Sequence, residues 1–362
     1  MTDLIPNREA AVFERIEAFR RRRPRLLDDV VTLAHGAGGK ASAALLDAVF
    51  LPAFANDALA AQTDAAVLTL PSGERMAFST DSYVVKPLRF PGGSAGHLAV
   101  HGTINDLAMM GARPLALSAA FVLEEGFPIE TLRGIVADMA EAAARAGVPV
   151  VTGDTKVVDH WAADGCYICT AGYGLVPAGR ELSAAEVRDG DVVISSGTIG
   201  DHGTAVMLAR GDLALEADIV SDTAPLHGLM EALLAAAPST RWLRDATRGG
   251  LGTVCNELAK AAQVTVVLEE CALPVRPPVA AACELLGIDP LYVANEGKFV
   301  AVVAPREAEQ AIDALRAHRY GGDAVAVGRI RTDHPGIVVL LTAFGGTRIV
   351  DMLVGDPLPR IC

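Results

Sequence analysis

The chain has 362 residues, too many for one ordinary hydrophobic core, so two domains are expected. Half of it, 51%, is apolar while only 5% is aromatic, the composition of a compact α/β protein built from small side chains. The net charge of −13 argues against nucleic acid or an anionic membrane as the main partner. No run of about 18 or more uncharged apolar residues is present to span a bilayer, and the charged N-terminus lacks the apolar stretch of a signal peptide. Six scattered cysteines then read as reduced thiols, and the expected location is cytoplasmic.

Residues 1–30 form a polar N-terminal extension with helical spacing and the basic run Arg20–Arg23, read as a solvated helix end. A first domain is predicted over 31–178. Its β-like runs are Ala65–Leu70, Met76–Ser79, Leu115–Val122 and Val148–Thr152, with helical patterns at His97–Met110 and Ile129–Ala146. A second domain follows over 179–345, with strands expected at Asp191–Ser195, Val264–Leu268, Tyr292–Ala294, Phe299–Val303, Ala324–Ile330 and Ile337–Thr342. Its helical patterns are His202–Ala209, Pro225–Ala236, Gly250–Gln263 and Arg306–Ala317. Each half mixes strands with helices, so the fold class is α/β (α+β). Residues 346–362 are expected to be a flexible tail, because Pro357 and Pro359 discourage a helix or a central strand. Extended, that arm reaches about 50–60 Å at roughly 3.3 Å per residue. A thiol at its end, Cys362, can be loaded at one site and presented at another.

Two metal-like spacings carry less. Cys166 and Cys169 form a CxxC, but strand alternation sends their sulfurs to opposite faces and no second pair completes a zinc site. His97 and His101 share a helix face without a third ligand in sight, and are read as helix-surface or core residues.

Acidic residues stand where the local pattern calls for apolar ones. Asp64 opens one strand and Asp81 ends the next; Asn105 and Asp106 interrupt an apolar helix; Asp154, Thr155 and Lys156 follow the strand ending at Thr152. Buried carboxylates are costly unless paired or bound to a cation, and several converging ones are how Mg²⁺ is held beside nucleotide phosphates. Lys156 supplies a point charge for a phosphate. Two glycine-rich segments precede helices, His35–Lys40 with Gly38 and Gly39, and Thr247–Leu251 with Arg248 and Gly249. Such segments let backbone N–H groups approach an anion. Neither matches the P-loop pattern, since Lys40 is followed by Ala41. The combination reads as a nucleotide–Mg²⁺ site outside the P-loop class.

The segments Leu33–Lys40, Ser79–Val85, Gly102–Ala108, Val151–Val158, Asp245–Leu251, Asn295–Gly297 and Pro359–Cys362 together resemble, in order, the HypE family of carbamoyl dehydratases. That family serves [NiFe]-hydrogenase maturation and belongs to the ATP-binding superfamily of aminoimidazole ribonucleotide synthetase and selenophosphate synthetase. About 30 N-terminal residues precede the usual family start. The resemblance implies two mixed α/β domains of the aminoimidazole ribonucleotide synthetase type, with ATP and Mg²⁺ as cofactors. It places the metal on Asp64, Asp81, Asp106 and Asp154, and the nucleotide near Gly38, Gly39, Lys40, Asp81, Asn105, Asp106, Asp154, Thr155, Asp245, Arg248 and Gly249. It further implies that HypF loads a carbamoyl group onto Cys362, that ATP drives its dehydration to a thiocyanate, and that cyanide passes to iron on a HypC–HypD complex. Homodimers across the first domain are expected. Lys156 is then the phosphate-stabilising cation. Glu296, in a polar break between two apolar runs, is the candidate proton acceptor, against a plain turn glutamate. The competing readings are another ATP-dependent member of the superfamily, such as selenophosphate synthetase, and a non-catalytic thiol carrier.

Overall fold

The computed structural model describes residues 26–211, 217–353, 355 and 360–362; the Arg20–Arg23 run, Pro357 and Pro359 lie outside them. The first domain is a five-stranded sheet of β1 (Ala66–Thr69), β2 (Arg75–Tyr83), β3 (Arg113–Glu124), β4 (Val150–Val158) and β5 (Cys166–Val176), in the order β1-β2-β5-β3-β4. All pairings are antiparallel except β3 with β4. Alternation along β2 sends Ala77, Ser79, Asp81 and Tyr83 inward and leaves Phe78, Thr80 and Ser82 on the open side. Cys166 and Cys169 fall on opposite faces of β5 as expected, the first buried and the second half-exposed, and they are not bridged.

The inner face is covered by α2 (Ala95–Met109), which follows the short α1 (Lys40–Leu45) and is backed by α3 (Ile129–Ala146). Apart from His97 and Asp106, every residue of α2 is buried, because its far side packs on the second domain. Ala108 and Met109 share a core cluster with Leu226, Leu229 and Phe299. His101 is likewise a core histidine, its ring bonded to the Thr223 hydroxyl at 3.0 Å.

The second domain carries a seven-stranded sheet in the order β12-β11-β8-β10-β6-β9-β7. Its strands are β6 (Val192–Ser195), β7 (Thr240–Asp245), β8 (Thr265–Glu269), β9 (Phe299–Val303), β10 (Val325–Arg331), β11 (Ile337–Leu341) and β12 (Thr347–Val350). Its helices are α4 (Asp201–Ala209), α5 (His227–Ala236), α6 (Gly250–Ala262), α7 (Pro277–Leu286) and α8 (Ala308–Ala317). Five sequence expectations need correction, beginning with α7, a helix absent from the sequence reading, and β4, which runs on to Val158 so that Asp154, Thr155 and Lys156 lie within it. β7 escapes a periodicity search because Arg241, Arg244 and Asp245 interrupt its apolar run. The strand expected at Tyr292–Ala294 is instead a 3-10 turn, Pro290–Tyr292, capped by the Asp289 side chain at 3.0 Å. The arm expected from Gly346 begins later, since Thr347–Val350 pairs with Ile337–Leu341 at the sheet edge. Among the described residues no helix is long and apolar enough to cross a membrane.

The loop Asn295–Gly297 passes so close to Asp222 that a Cβ on Gly297 would collide with the Asp222 carbonyl. Gly297→Ala is therefore expected to cost about 1–3 kcal/mol, measured by denaturant unfolding; an unchanged midpoint would contradict this packing.

Candidate active site

Three elements bring carboxylates together. Asp64 precedes β1, Asp106 lies on α2, and Asp245 ends β7; one oxygen from each lies within 4.8 Å of the others. Asp64 is held by Arg244, Nε to Oδ1 at 2.8 Å, and Arg244 also pairs with Glu257 at 3.1 Å. The Ser79 hydroxyl donates to Asp106 Oδ2 at 2.5 Å. Burial pushes the Asp64 carboxyl up to about 6, with Arg244 opposing. Burial, then mutual repulsion, raises Asp106 and Asp245 well above the carboxylate range. Asp64 Oδ2 is buried with no hydrogen-bond partner. Clustered oxygens with an orphaned buried lone pair fit a hard divalent cation, which neutralises the repulsion and completes their coordination. Asp81, on the inner face of β2, adds its charge to both Asp106 and Asp245.

Asp154, grouped with these residues in the sequence, does not join them within one chain. The register Ser82–Cys169–Ala120–Asp154 puts it three strands from β2, about 14 Å at roughly 4.8 Å per strand, and on the open face rather than the helix-covered one. There it pairs with Lys156, Nζ to Oδ2 at 2.6 Å, on a strand that is exposed almost throughout, Thr155 included. Asn105 is also differently employed. Its amide donates to the Ala224 and Glu296 carbonyls and its oxygen accepts from Leu226 N–H, so it bolts the two domains together. Gly38 packs on Arg248, whose Cβ would lie 3.1 Å from a Cβ there, while Gly39 and Lys40 meet the chain's far end: a Cβ at Gly39 would lie 2.6 Å from the Leu353 carbonyl, and Lys40 pairs with Asp351 at 2.9 Å.

Glu296 is buried, and its Oε1 has no hydrogen-bond partner. Burial, then Asp245, Asp81 and Asp222, raise its carboxyl well above the usual range, with Arg248 opposing. A solvated turn glutamate has none of this. Arg248 is held in its charged form first by Cys362 and then, against burial, by Asp81 and Glu296. Its Nη1 donates to the Gly36 carbonyl at 2.6 Å. Beside it opens a cavity of about 150 Å³, walled by Val84, Arg248, Gly249, Tyr292, Ile361 and Cys362 among others. The chain end reaches it by lying along Val84–Lys86: Val84 N–H donates to the Cys362 carbonyl at 3.0 Å and Lys86 N–H to that of Arg360 at 3.1 Å. Asp164, His202, Arg210 and Asp222, all at this end of the site, escaped the sequence reading, because single polar residues in unrelated segments leave no spacing signal.

A carboxyl raised in the folded state binds its proton more tightly there, so its contribution to stability is present below the unfolded value and lost as pH rises through the folded one. For Asp64 that window runs from 3.8 to about 6. Mg²⁺ should therefore raise the melting temperature more at about pH 8 than at about pH 5. Asp106→Asn should stabilise the cation-free protein and erase the Mg²⁺ response; thermal unfolding with an equal response at both pH values would count against the cluster as a cation site.

Residues 62–176 match the N-terminal domain model of AIR synthase related proteins, and residues 188–340 match the C-terminal domain model. A carbamoyl dehydratase HypE from Rhodobacter capsulatus is 55% identical over 339 residues, covering 93% of this chain and 99% of that relative. A crystal structure of a HypE–HypF complex matches with TM-score 0.81 and 47% identity, over 86% of this chain and 100% of that one. A crystal structure of the hydrogenase maturation protein HypE in complex with ATP matches with TM-score 0.77 and 43% identity, over 92% and 100%. With both AIR-synthase domains present and this identity running along nearly its whole length, the chain belongs to the HypE family of carbamoyl dehydratases.

Proposed function

We propose that this chain is an ATP-dependent carbamoyl dehydratase of hydrogenase maturation, which converts an S-carboxamide on its own Cys362 to a thiocyanate. The observation that carries this is the docked chain end, which sets Cys362 at the small cavity beside Arg248. Arg248 also feels the charge of Asp81 and of the buried Glu296. ATP, when bound, supplies the phosphoryl group that makes the carboxamide oxygen a leaving group. Asp64, Asp106 and Asp245, with Asp81 beside them, would hold its Mg²⁺. Arg248 neutralises charge on the oxygen side, and Glu296 accepts the N–H proton as the phosphorylated oxygen departs. A cavity of about 150 Å³ has room for the small planar group.

HypF is the proposed carbamoyl donor and a HypC–HypD complex the cyanide acceptor, in the cytoplasm. A selenophosphate synthetase has no use for a docked cysteine at this position, and a plain thiol carrier has none for a buried acidic cluster.

The homodimer is assigned to the open face of the first sheet, where Leu68, Phe78, Leu115 and Tyr173 are exposed. The nucleotide roles of Asp154, Thr155 and Lys156 then depend on that second copy, because they share this face or its edge. Phe78→Glu with Tyr173→Glu should leave a folded monomer by sedimentation and abolish ATP turnover; a dimer that persists would remove this assignment.

Intact mass after incubation with HypF, carbamoyl phosphate and ATP should show a carbamoyl group gained and then one water lost, and Cys362→Ala should show neither. A proton acceptor must be ionised, and the raised Glu296 carboxyl ionises only as pH climbs through its shifted value. Single-turnover dehydration should therefore rise with pH and level off, while Glu296→Gln accepts the carbamoyl group but dehydrates at least ~100-fold more slowly, without that rise. Near wild-type dehydration in Glu296→Gln would reduce this residue to packing.

A further inference from the structure

The segment Arg360–Cys362 occupies a built peptide site. Each of its three carbonyls is held: that of Cys362 by Val84 N–H, that of Arg360 by Lys86 N–H and by Arg210 Nη2 at 2.7 Å, and that of Ile361 by His202 Nε2 at 2.6 Å. The Ile361 side chain is buried in the core cluster that contains Phe90, Ala205, Val206 and Val293. The Arg360 guanidinium pairs with Asp164, which also holds Lys86 at 3.1 Å.

His202, the second residue of α4, is fully buried and has no other evident task. A carbonyl only accepts, so Nε2 carries the ring proton. Nδ1 then accepts from the Ser221 hydroxyl at 2.8 Å, and Ser221 Oγ in turn accepts from Thr223 N–H at 3.2 Å. Phe90 meets the ring edge-on, centroids 5.4 Å apart, which fixes its plane. The Ile361 carbonyl thus selects the tautomer, and the Ser221 hydroxyl holds the ring in place by donating to its other nitrogen. We propose that His202, oriented by Ser221, is the positioning residue that latches the Arg360–Cys362 segment and sets Cys362 in the dehydration site; the dehydration half of this rests on the carrier role proposed for Cys362. The latch grips main-chain carbonyls and the Arg360 and Ile361 side chains, so it holds the arm equally whether the Cys362 sulfur is bare, carbamoylated or cyanated. The ligand it takes is a peptide segment with an aliphatic residue at the Ile361 position and a left-handed turn at the Arg360 position.

The test is the rate at which iodoacetamide alkylates Cys362 in the full-length, unloaded protein, followed by mass spectrometry with exposed Cys271 as internal reference. His202→Leu removes the donor and should raise the Cys362 rate about tenfold, with Cys271 unchanged. His202→Gln keeps an N–H donor at similar reach and should stay within about twofold of wild type. Should His202→Leu fail to fold, Ser221→Ala tests the same chain of contacts with an expected rise of about threefold. In carbamoylated protein, His202→Leu should slow dehydration while leaving the half-saturating ATP concentration in place, and His202→Gln should restore the rate. Unchanged Cys362 alkylation in His202→Leu and Ser221→Ala, or a glutamine variant as fast as the leucine one, overturns the latch. Alkylation needs neither HypF nor ATP, so a wild-type protein that never dehydrates would defeat the carrier role while leaving the latch to stand on the alkylation result.

Discussion

Everything at the active site follows from the cost of burying carboxylates close together. Asp64, Asp106, Asp245 and Glu296 are each pushed toward their protonated forms by burial, and all but Glu296 lie within 4.8 Å of one another through an oxygen atom. Arg244 offsets part of this at Asp64, and Arg248 part of it at Glu296. Desolvation makes the resting site expensive. The same desolvation gives it a use: a hard cation would gain strongly by entering, and a carboxyl with raised proton affinity is the better suited to accept a proton.

Helix α2 makes that crowding possible. Adjacent residues on it serve opposite partners: Asp106 faces the acidic cluster, while Asn105 holds the carbonyls of Ala224 and Glu296 in the second domain. A helix buried on nearly every side transmits position from one domain to the other without slack. Glu296 and the clustered carboxylates are thereby fixed relative to each other by one rigid element, although they come from both domains.

The chain end is the third participant. It leaves the second sheet after β12, crosses the glycine-rich segment at Leu353, and comes to rest along Val84–Lys86, just beyond Asp81 on the same run of chain. One continuous segment, Asp81–Lys86, therefore serves the cluster at its start and the docked arm at its end. Its hold is made of a few hydrogen bonds, the Arg360–Asp164 ion pair and one buried isoleucine, a modest sum beside a packed core.

Much was legible from the chain alone. Ile129–Ala146 appears with its expected bounds, α2 within two residues, and both domains in their expected mixed composition, because apolar periodicity and Gly147 reflect local preferences. Asp64, Asp81 and Asp106 were conspicuous as charges in apolar surroundings. What the sequence could not carry was who meets whom. Asp154 looks equivalent to Asp81, yet strand order and face separate them by about 14 Å, since alternation and ladder position are properties of the assembled sheet. Asp245 joins the acidic cluster only because β7 ends opposite α2, and Asn105 becomes a bolt only because the domains close upon it. His202 meets Ser221, 19 residues on, through one ring nitrogen and Ile361, a further 140 residues on, through the other. Residue types and local elements are written along the chain, but coordination, proton affinity and docking arise from distances across it, and folding alone sets those distances.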